Sequence, residues 1–537
     1  MLKLFALLLF MGSIVSPSFA SLPRMVVLLV IDNMSEQQLQ QYWPYFGDKG
    51  FKRLAAEGRY CRNVSVPYLS SQPSQGYATL STGAFPSQHG IIADKFFNSL
   101  KNTVIECVDD DQYRKLNPLP VDGTRGYSGS KLLCTTLADH LQINTQNASV
   151  VIGISPEPQG AILTTGHNAD GCYWMNEDNG WWITSSNYAD SLPAWVQEFN
   201  RKRLFDIYLN REWNTFFPLD SYKQCLTDNN KYEQGIGQQI TFPYNLAGLK
   251  SKYGYKLLKT IPWGNSYTKD FAIATIINEK MGKDSIPDYL SVAFTISRAI
   301  DKSFGLRSVE MQDMYLRLDQ DLGHFLDFLD DHCGKKNFIL VLTSSGGTAD
   351  EPAFLADFKI PAGYFKPTQT IYLLKSYLNI LYGNKEWLPF YYNKNIYFNR
   401  QLIDESKLSL SAFQEKAAGF LIQSSGIYQV LTSTSLLANN YTSGVFQKVQ
   451  RTFHAGRSGD LVIVLEPGWA ETNYIETIRN NTLPVAAFWY GGPITPGITV
   501  RDIQITDVMP TLCVLSGISM PETVAGTAIG EIVGIQP

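Results

Sequence analysis

A three-layer α/β/α sandwich with an inserted cap is the fold this sequence predicts, and three observations predict it. Short apolar runs rich in Val, Ile and Leu recur along the chain, with the length and composition of strands buried on both faces of a parallel sheet. Amphipathic helical stretches separate these runs, and strands alternating with helices give layers of helices on both faces of a sheet. Between about 170 and 263 the alternation fails in a stretch rich in Trp, Tyr and Asn, which reads as the cap. The 537 residues are 44% hydrophobic and 13% aromatic, which excludes global disorder. With 45 basic against 49 acidic side chains there is no basic excess to release phosphate counterions, so no nucleic-acid partner is expected.

Residues 1–20 read as a secretory signal, with Lys3 in the charged region, an apolar segment over 4–15, and cleavage after Ala20 behind Ser18-Phe19-Ala20. The apolar segment breaks at Ser16-Pro17-Ser18, short of the roughly 20 residues a membrane span needs. No later stretch is long enough to span, so the expected product is exported and periplasmic. Predicted strands cover 25–31, 149–154, 289–296, 338–343, 461–465 and 485–490. The clearest helix covers 310–332, where Met314, Leu318, Leu322, Phe325, Leu326 and Leu329 recur at helical spacing. The core is therefore assigned to 21–169 and 264–537, and the cap to 170–263. Tyr173, Trp174, Trp181, Trp182 and Trp195 are read as packing of the cap, and Asp109-Asp110-Asp111 as a solvated loop. Seven scattered cysteines contain no C-x-x-C pair, and an oxidising compartment allows one or two disulfides among them.

Chemistry in such sheets sits at the carboxyl ends of the strands. The residues to inspect are therefore Asp32-Asn33-Met34, 155–159, Ser297-Arg298, 344–347 and Glu466-Pro467-Gly468-Trp469.

Several longer stretches carry a resemblance: VVLLVIDNM at 26–34, GFKRLAAEGRYCRN at 50–63, ATLSTGAFPSQHGI at 78–91, GAILTTGHNADGCYW at 160–174, RSGDLVIVLEPGW at 457–469 and ITDVMPTLCVLSGI at 505–518. The sequence resembles the alkaline phosphatase superfamily, in its phosphate-irrepressible monoesterase branch close to the nucleotide pyrophosphatase/phosphodiesterases. The resemblance implies the alkaline-phosphatase type of sandwich and hydrolysis of phosphate esters at two zinc ions about 4 Å apart. It also implies three Asp and three His ligands and a Thr or Ser nucleophile.

Carried over position by position, that pattern is largely broken. Asp32 stands at the first ligand position, the only one retained. The nucleophile position holds Pro73, which has no hydroxyl, although Ser74 is adjacent. The D-x-x-x-H ligand pair falls on Arg298 and Lys302, the Asp-His pair on Ser345 and Gly346, and the last His on Asn473. The phosphate-contacting Lys and Arg fall on Glu157 and Gln159, and the Asn on Asp94. Only six histidines occur in the chain, and none follows a predicted strand as part of an Asp/His pair.

The expectation is an exported pseudoenzyme without zinc or any other cofactor, acting as a binding or assembly factor for a protein or small-molecule partner. Arg298 and Lys302 are expected to neutralise Asp32, and with it Asp94, as a salt-bridged floor in place of metal. The alternative is an active zinc-dependent phosphomonoesterase or phosphodiesterase. A third reading is metal-free chemistry through Asp32, Lys302 or Ser345.

Overall fold

The computed structural model describes residues 22–69, 72–98, 101–116, 125–472, 477–479 and 482–534. The signal at 1–20 and Asn473 lie outside the described residues. Eight strands organise the main sheet: β1 (Met25–Ile31), β2 (Arg59–Ser65), β3 (Val151–Ile154), β4 (Gly171–Met175), β5 (Trp182–Ser185), β6 (Asp288–Phe294), β7 (Phe338–Ser344) and β8 (Val485–Gly491). Their spatial order is β2-β8-β7-β1-β6-β3-β4-β5, and further strands at the edges bring the sheet to twelve. The run β7-β1-β6-β3-β4 is parallel. Four helices position the site: α1 (Pro73–Thr82), α2 (Pro158–Leu163), α3 (Ile296–Phe304) and α4 (Val309–Cys333).

β1 is central because all seven of its residues are apolar and buried. Its side chains alternate between two cores: Val27, Leu29 and Ile31 join one, and Val26, Leu28 and Val30 the other. A period of two on a sheet covered on both faces gives this division, which is the three-layer sandwich expected. α4 covers the first face with Met314, Leu318, Leu322 and Leu326, and reaches one residue beyond each end of the helix read from periodicity.

The sequence reading is corrected at four places. β8 is buried throughout but runs antiparallel to β7, since an apolar run reports burial on both faces and not direction. The segment Leu461–Leu465 is a strand of a separate four-stranded sheet with Asn395–Tyr397 and Ile427–Thr432. That sheet has its own core around Leu374, Trp387, Phe413 and Ile463, so the stretch from about 363 to 465 is a subdomain inside the region assigned to the main core. The cap begins later than residue 170, because β4 and β5 extend the main sheet. Trp182 on β5 stacks on Phe271 at 4.4 Å, so this ring packs in the core as read. Finally, Asp109–Leu116 is a strand, and the Ser128 and Ser130 hydroxyls donate to Asp110 at 2.5 and 2.8 Å. All seven cysteines are free thiols. No helix among the described residues is long and apolar enough to cross a membrane.

Candidate functional site

The parallel strands all end on one side of the sheet, and a cavity of about 670 Å³ opens there between the strand ends and the cap. That size suits a small molecule. Of the ten positions singled out in the sequence, Asp32, Pro73, Asp94, Glu157, Gln159, Arg298 and Lys302 line it. Ser345 lies directly beneath, in contact with Asp32, and Gly346 follows it in the turn after β7. The residues 466–469 do not line it, because the strand before them belongs to the other sheet.

Asp32 follows β1 and is buried. Its Oδ1 accepts hydrogen bonds from the Tyr77 hydroxyl at 2.6 Å and the Ser345 hydroxyl at 2.8 Å, while the Ser297 hydroxyl donates to its backbone carbonyl. Burial pushes its carboxyl up to about 6, against the Tyr77 hydrogen bond, the charge of Arg298 and the Ser345 hydrogen bond, with Asp94 adding to the rise. The expectation that Arg298 and Lys302 pair with Asp32 is therefore corrected. Its direct partners are hydroxyls, Arg298 acts on it through its field, and Lys302 is an exposed side chain one turn further along α3.

The expected pairing with Asp94 is present through Arg298, Nη2 to Oδ2 at 3.1 Å. Burial works against its charge, but Asp94 and Asp32 outweigh it and raise its pKa. Asp94 is fixed from two further directions: the Ser74 amide donates to its Oδ1 at 3.2 Å, and its own amide donates to Gln72 Oε1 at 2.6 Å. Pro73 opens α1, where its missing N–H costs nothing. Ser74, the adjacent hydroxyl, is fully buried and does not line the cavity. Gly76 lets α1 press on the turn after β7, because a Cβ there would meet the Ser345 carbonyl oxygen at 2.0 Å.

Four further side-chain pairings were not read from the sequence. Glu157 precedes α2, and its Oε1 lies 3.2 Å from Lys259 Nζ, which also reaches Glu177 at 3.1 Å. Burial opposes the Lys259 charge, yet the two carboxylates prevail and raise its pKa. Asp301 on α3 accepts from Asn33 at 3.2 Å and from Arg479, whose Nη1 also donates to the Ala349 carbonyl at 2.7 Å. Arg479 is held charged against its burial by Asp301. Tyr77, Lys259, Asp301 and Arg479 carry no local motif. The signal that points to Lys259 is charge balance, since Glu157 in a cleft requires a positive partner; Arg479 answers Asp301, an acid the sequence reading did not single out.

No histidine lines the cavity. His89 is packed against Thr79, with its ring pushed down to about 3 by burial, and His167 bridges Asp139 and the Leu132 carbonyl. Among the described residues no group of three or more His, Cys, Asp or Glu side chains is arranged to hold a metal ion.

Residues 26–483 match the family model described as type I phosphodiesterase / nucleotide pyrophosphatase. The chain is 31% identical over 522 residues to a protein of Myroides odoratus called calcium-transporting ATPase, covering 95% of both chains. It is 30% identical over 527 residues to alkaline phosphatase PhoV of Synechococcus elongatus, covering 96% of this chain and 94% of that one. The crystal structure of wild-type alkaline phosphatase PafA superposes with a TM-score of 0.90 at 29% identity, over 95% of this chain and 99% of the other.

Proposed function

Because the chain belongs to the type I phosphodiesterase / nucleotide pyrophosphatase family, within the alkaline phosphatase superfamily, we propose that it is an exported, zinc-free member that binds a partner in its cleft rather than hydrolysing phosphate esters. One observation carries this reading. Where the family resemblance calls for six metal ligands and a nucleophile, the cavity floor offers one hydroxyl-bonded carboxylate, a proline and a guanidinium–carboxylate pair, and no imidazole.

That donor set does not fit two zinc ions. Zinc takes imidazole nitrogens and carboxylate oxygens in near-tetrahedral sites, and the Asp94 and Asp301 carboxylates are occupied by Arg298 and Arg479. A guanidinium stays protonated at any pH the protein meets and cannot ligate. The repurposed serine chemistry also loses support, because Ser345 is fully buried under Asp32 and does not line the cavity. Cleavage after Ala20 and a periplasmic destination complete the proposal.

A second reading keeps one specific observation in its favour: relatives covering nearly the whole chain are named alkaline phosphatases. The deciding experiment measures metal by mass spectrometry on protein purified after zinc supplementation, together with p-nitrophenyl phosphate hydrolysis with and without chelator. The expected outcome is zinc near zero in a folded sample and no hydrolysis. About two zinc ions per chain, with chelator-sensitive turnover, would replace this reading with that of an active phosphoesterase.

A further inference from the structure

We infer that the cleft is a receptor for a small molecule carrying a single carboxylate and a flat apolar group, with the carboxylate seated on the outer edge of the Arg298 guanidinium. This rests on the metal-free reading above.

Arg298 is the cation that the fold delivers to the middle of the cavity floor. It stands in the first turn of α3, directly after β6, where the parallel strands end. Its side chain remains 43% exposed despite its place on the floor. Asp94 takes its Nη2 and holds that side of the fork still, being itself tied to the Ser74 amide. Among the described residues the Nε and Nη1 donors have no protein partner. The parallel N–H pairs of a guanidinium both include Nη2, and Asp94 takes only one of the two Nη2 hydrogens; the other, with its neighbour on that edge, matches a carboxylate bidentately.

Charge decides between one negative charge and two. Six acidic and six basic side chains line the cavity, and the buried cations Lys259 and Arg479 are already committed to carboxylates. Asp94 and Asp32 both act on Arg298 itself. Asp32, Asp94 and Arg298 together leave the floor with one net negative charge, so doubling an anion's charge adds more repulsion from the two carboxylates than attraction to the one guanidinium. Lys302 stands at the exposed rim, where solvent screens it.

The cap residues of the lining supply the apolar half. Ile236 and Leu257 of the cap are buried there, and Tyr253 is half-buried beside them. Gly237, at φ +62°, lets Tyr253 lie against the loop, since a Cβ there would meet the Tyr253 hydroxyl at 2.2 Å. A lining that joins a charged floor to apolar cap residues fits a ring that carries an acid group.

The test is isothermal titration of the purified protein with benzoate, phenyl phosphate and phenol at about pH 7.5, where benzoate carries one negative charge and phenyl phosphate close to two. The expected result is that benzoate binds, phenyl phosphate binds more weakly and phenol least. Arg298→Gln should weaken benzoate about tenfold or more. Asp94→Asn should tighten both anions and narrow the gap between them. Failure of benzoate to bind at millimolar concentration overturns the inference, as does phenyl phosphate binding as tightly as benzoate. So does a folded Arg298→Gln protein with unchanged benzoate affinity. Should Arg298→Gln not fold, Asp94→Asn decides, and unchanged affinity for benzoate overturns the inference. Phosphate release from phenyl phosphate is followed in the same samples. Release sinks the metal-free reading itself, while no release together with no benzoate binding sinks only the ligand assignment.

Discussion

At the cleft floor the carboxylates of Asp94 and Asp301 each meet a guanidinium, whereas at the junction of cap and α4 the carboxyl of Glu310 acts on that of Glu233. Glu310 is fully buried and accepts one hydrogen bond, from the Tyr244 hydroxyl at 2.6 Å. Its second oxygen, the second oxygen of Glu233 and the Gln312 amide nitrogen are buried without hydrogen-bond partners among the described residues. Burial, with the neighbouring carboxyl, pushes Glu233 up to about 9; burial, with Asp228 and Asp313, pushes Glu310 up to about 8. The same cost, an acid taken out of water, is thus met in one region by a fixed countercharge and in the other by a retained proton. The first solution keeps the cleft floor charged and polar. The second keeps the loop that forms the cap wall of the cavity, 234–237, attached to α3 through the Gln234 and Gly235 amides, both bonded to the Ser303 carbonyl at 2.8 Å.

Removing a countercharge is the sharpest way to separate the two regions. Arg479→Met leaves Asp301 buried and unpaired, since both side chains are less than 10% exposed. The expected loss of stability is about 3–5 kcal/mol, read from urea denaturation near neutral pH. Glu310→Gln keeps the shape and removes only a proton-binding site, so it should cost little there. Equal losses in the two variants would erase the distinction between countercharge and proton.

A smaller effect follows from pH. Both glutamates have folded-state values above the ordinary 4.5, so the folded protein binds more protons than the unfolded chain between about 4.5 and 9. Their contribution to stability is intact below that window and is lost as pH rises through it. The loss is up to roughly 1.4 kcal/mol per pH unit for each group, and about 2–3 kcal/mol between pH 6 and 8 for Glu310 alone. Denaturation at a series of pH values should show this decline, and Glu310→Gln should flatten it and become the more stable protein near pH 8.5. A parent protein whose stability is flat across that range would mean the pair is not held protonated.

The two regions also differ in how far they were legible in the sequence. Asp32 and Arg298 were found because chemistry collects at strand ends, a rule that needs only the strands, and Asp94 because it occupies a family position. Strand positions were legible in turn because β1, β6 and β7 are nearly continuous apolar runs, interrupted in β6 by Ser291. Lys259 and Arg479 come from a 3₁₀ turn in the cap and from the loop before β8, and no spacing announces which distant acid a lone cation will meet. Glu233 and Glu310 lie 77 residues apart, and only the fold brings two carboxyls into one dry place. The Leu461–Leu465 strand was assigned to the wrong sheet for a related reason: hydrophobicity measures burial, and two different cores bury a strand equally well.

The smallest effect belongs to Asp32, which sits between the two solutions. It has hydroxyl donors like Glu310 and a nearby guanidinium like Asp94. Ser345→Ala removes one of two hydrogen bonds to Oδ1 and leaves the Tyr77 bond in place, so the expected loss is about 1 kcal/mol. The carboxyl of Asp32 should move further above 6, because the lost bond favoured its charged form. Carboxyl-carbon NMR titration of the parent and the variant reads that movement directly. If Ser345→Ala instead costs as much as Arg479→Met, Asp32 is a full charge that depends on its hydroxyls, and the floor holds three charged acids where two have guanidinium partners. An upward shift with a small loss places Asp32 with the proton-holding acids, so that a region built on countercharges also contains one group that answers to pH.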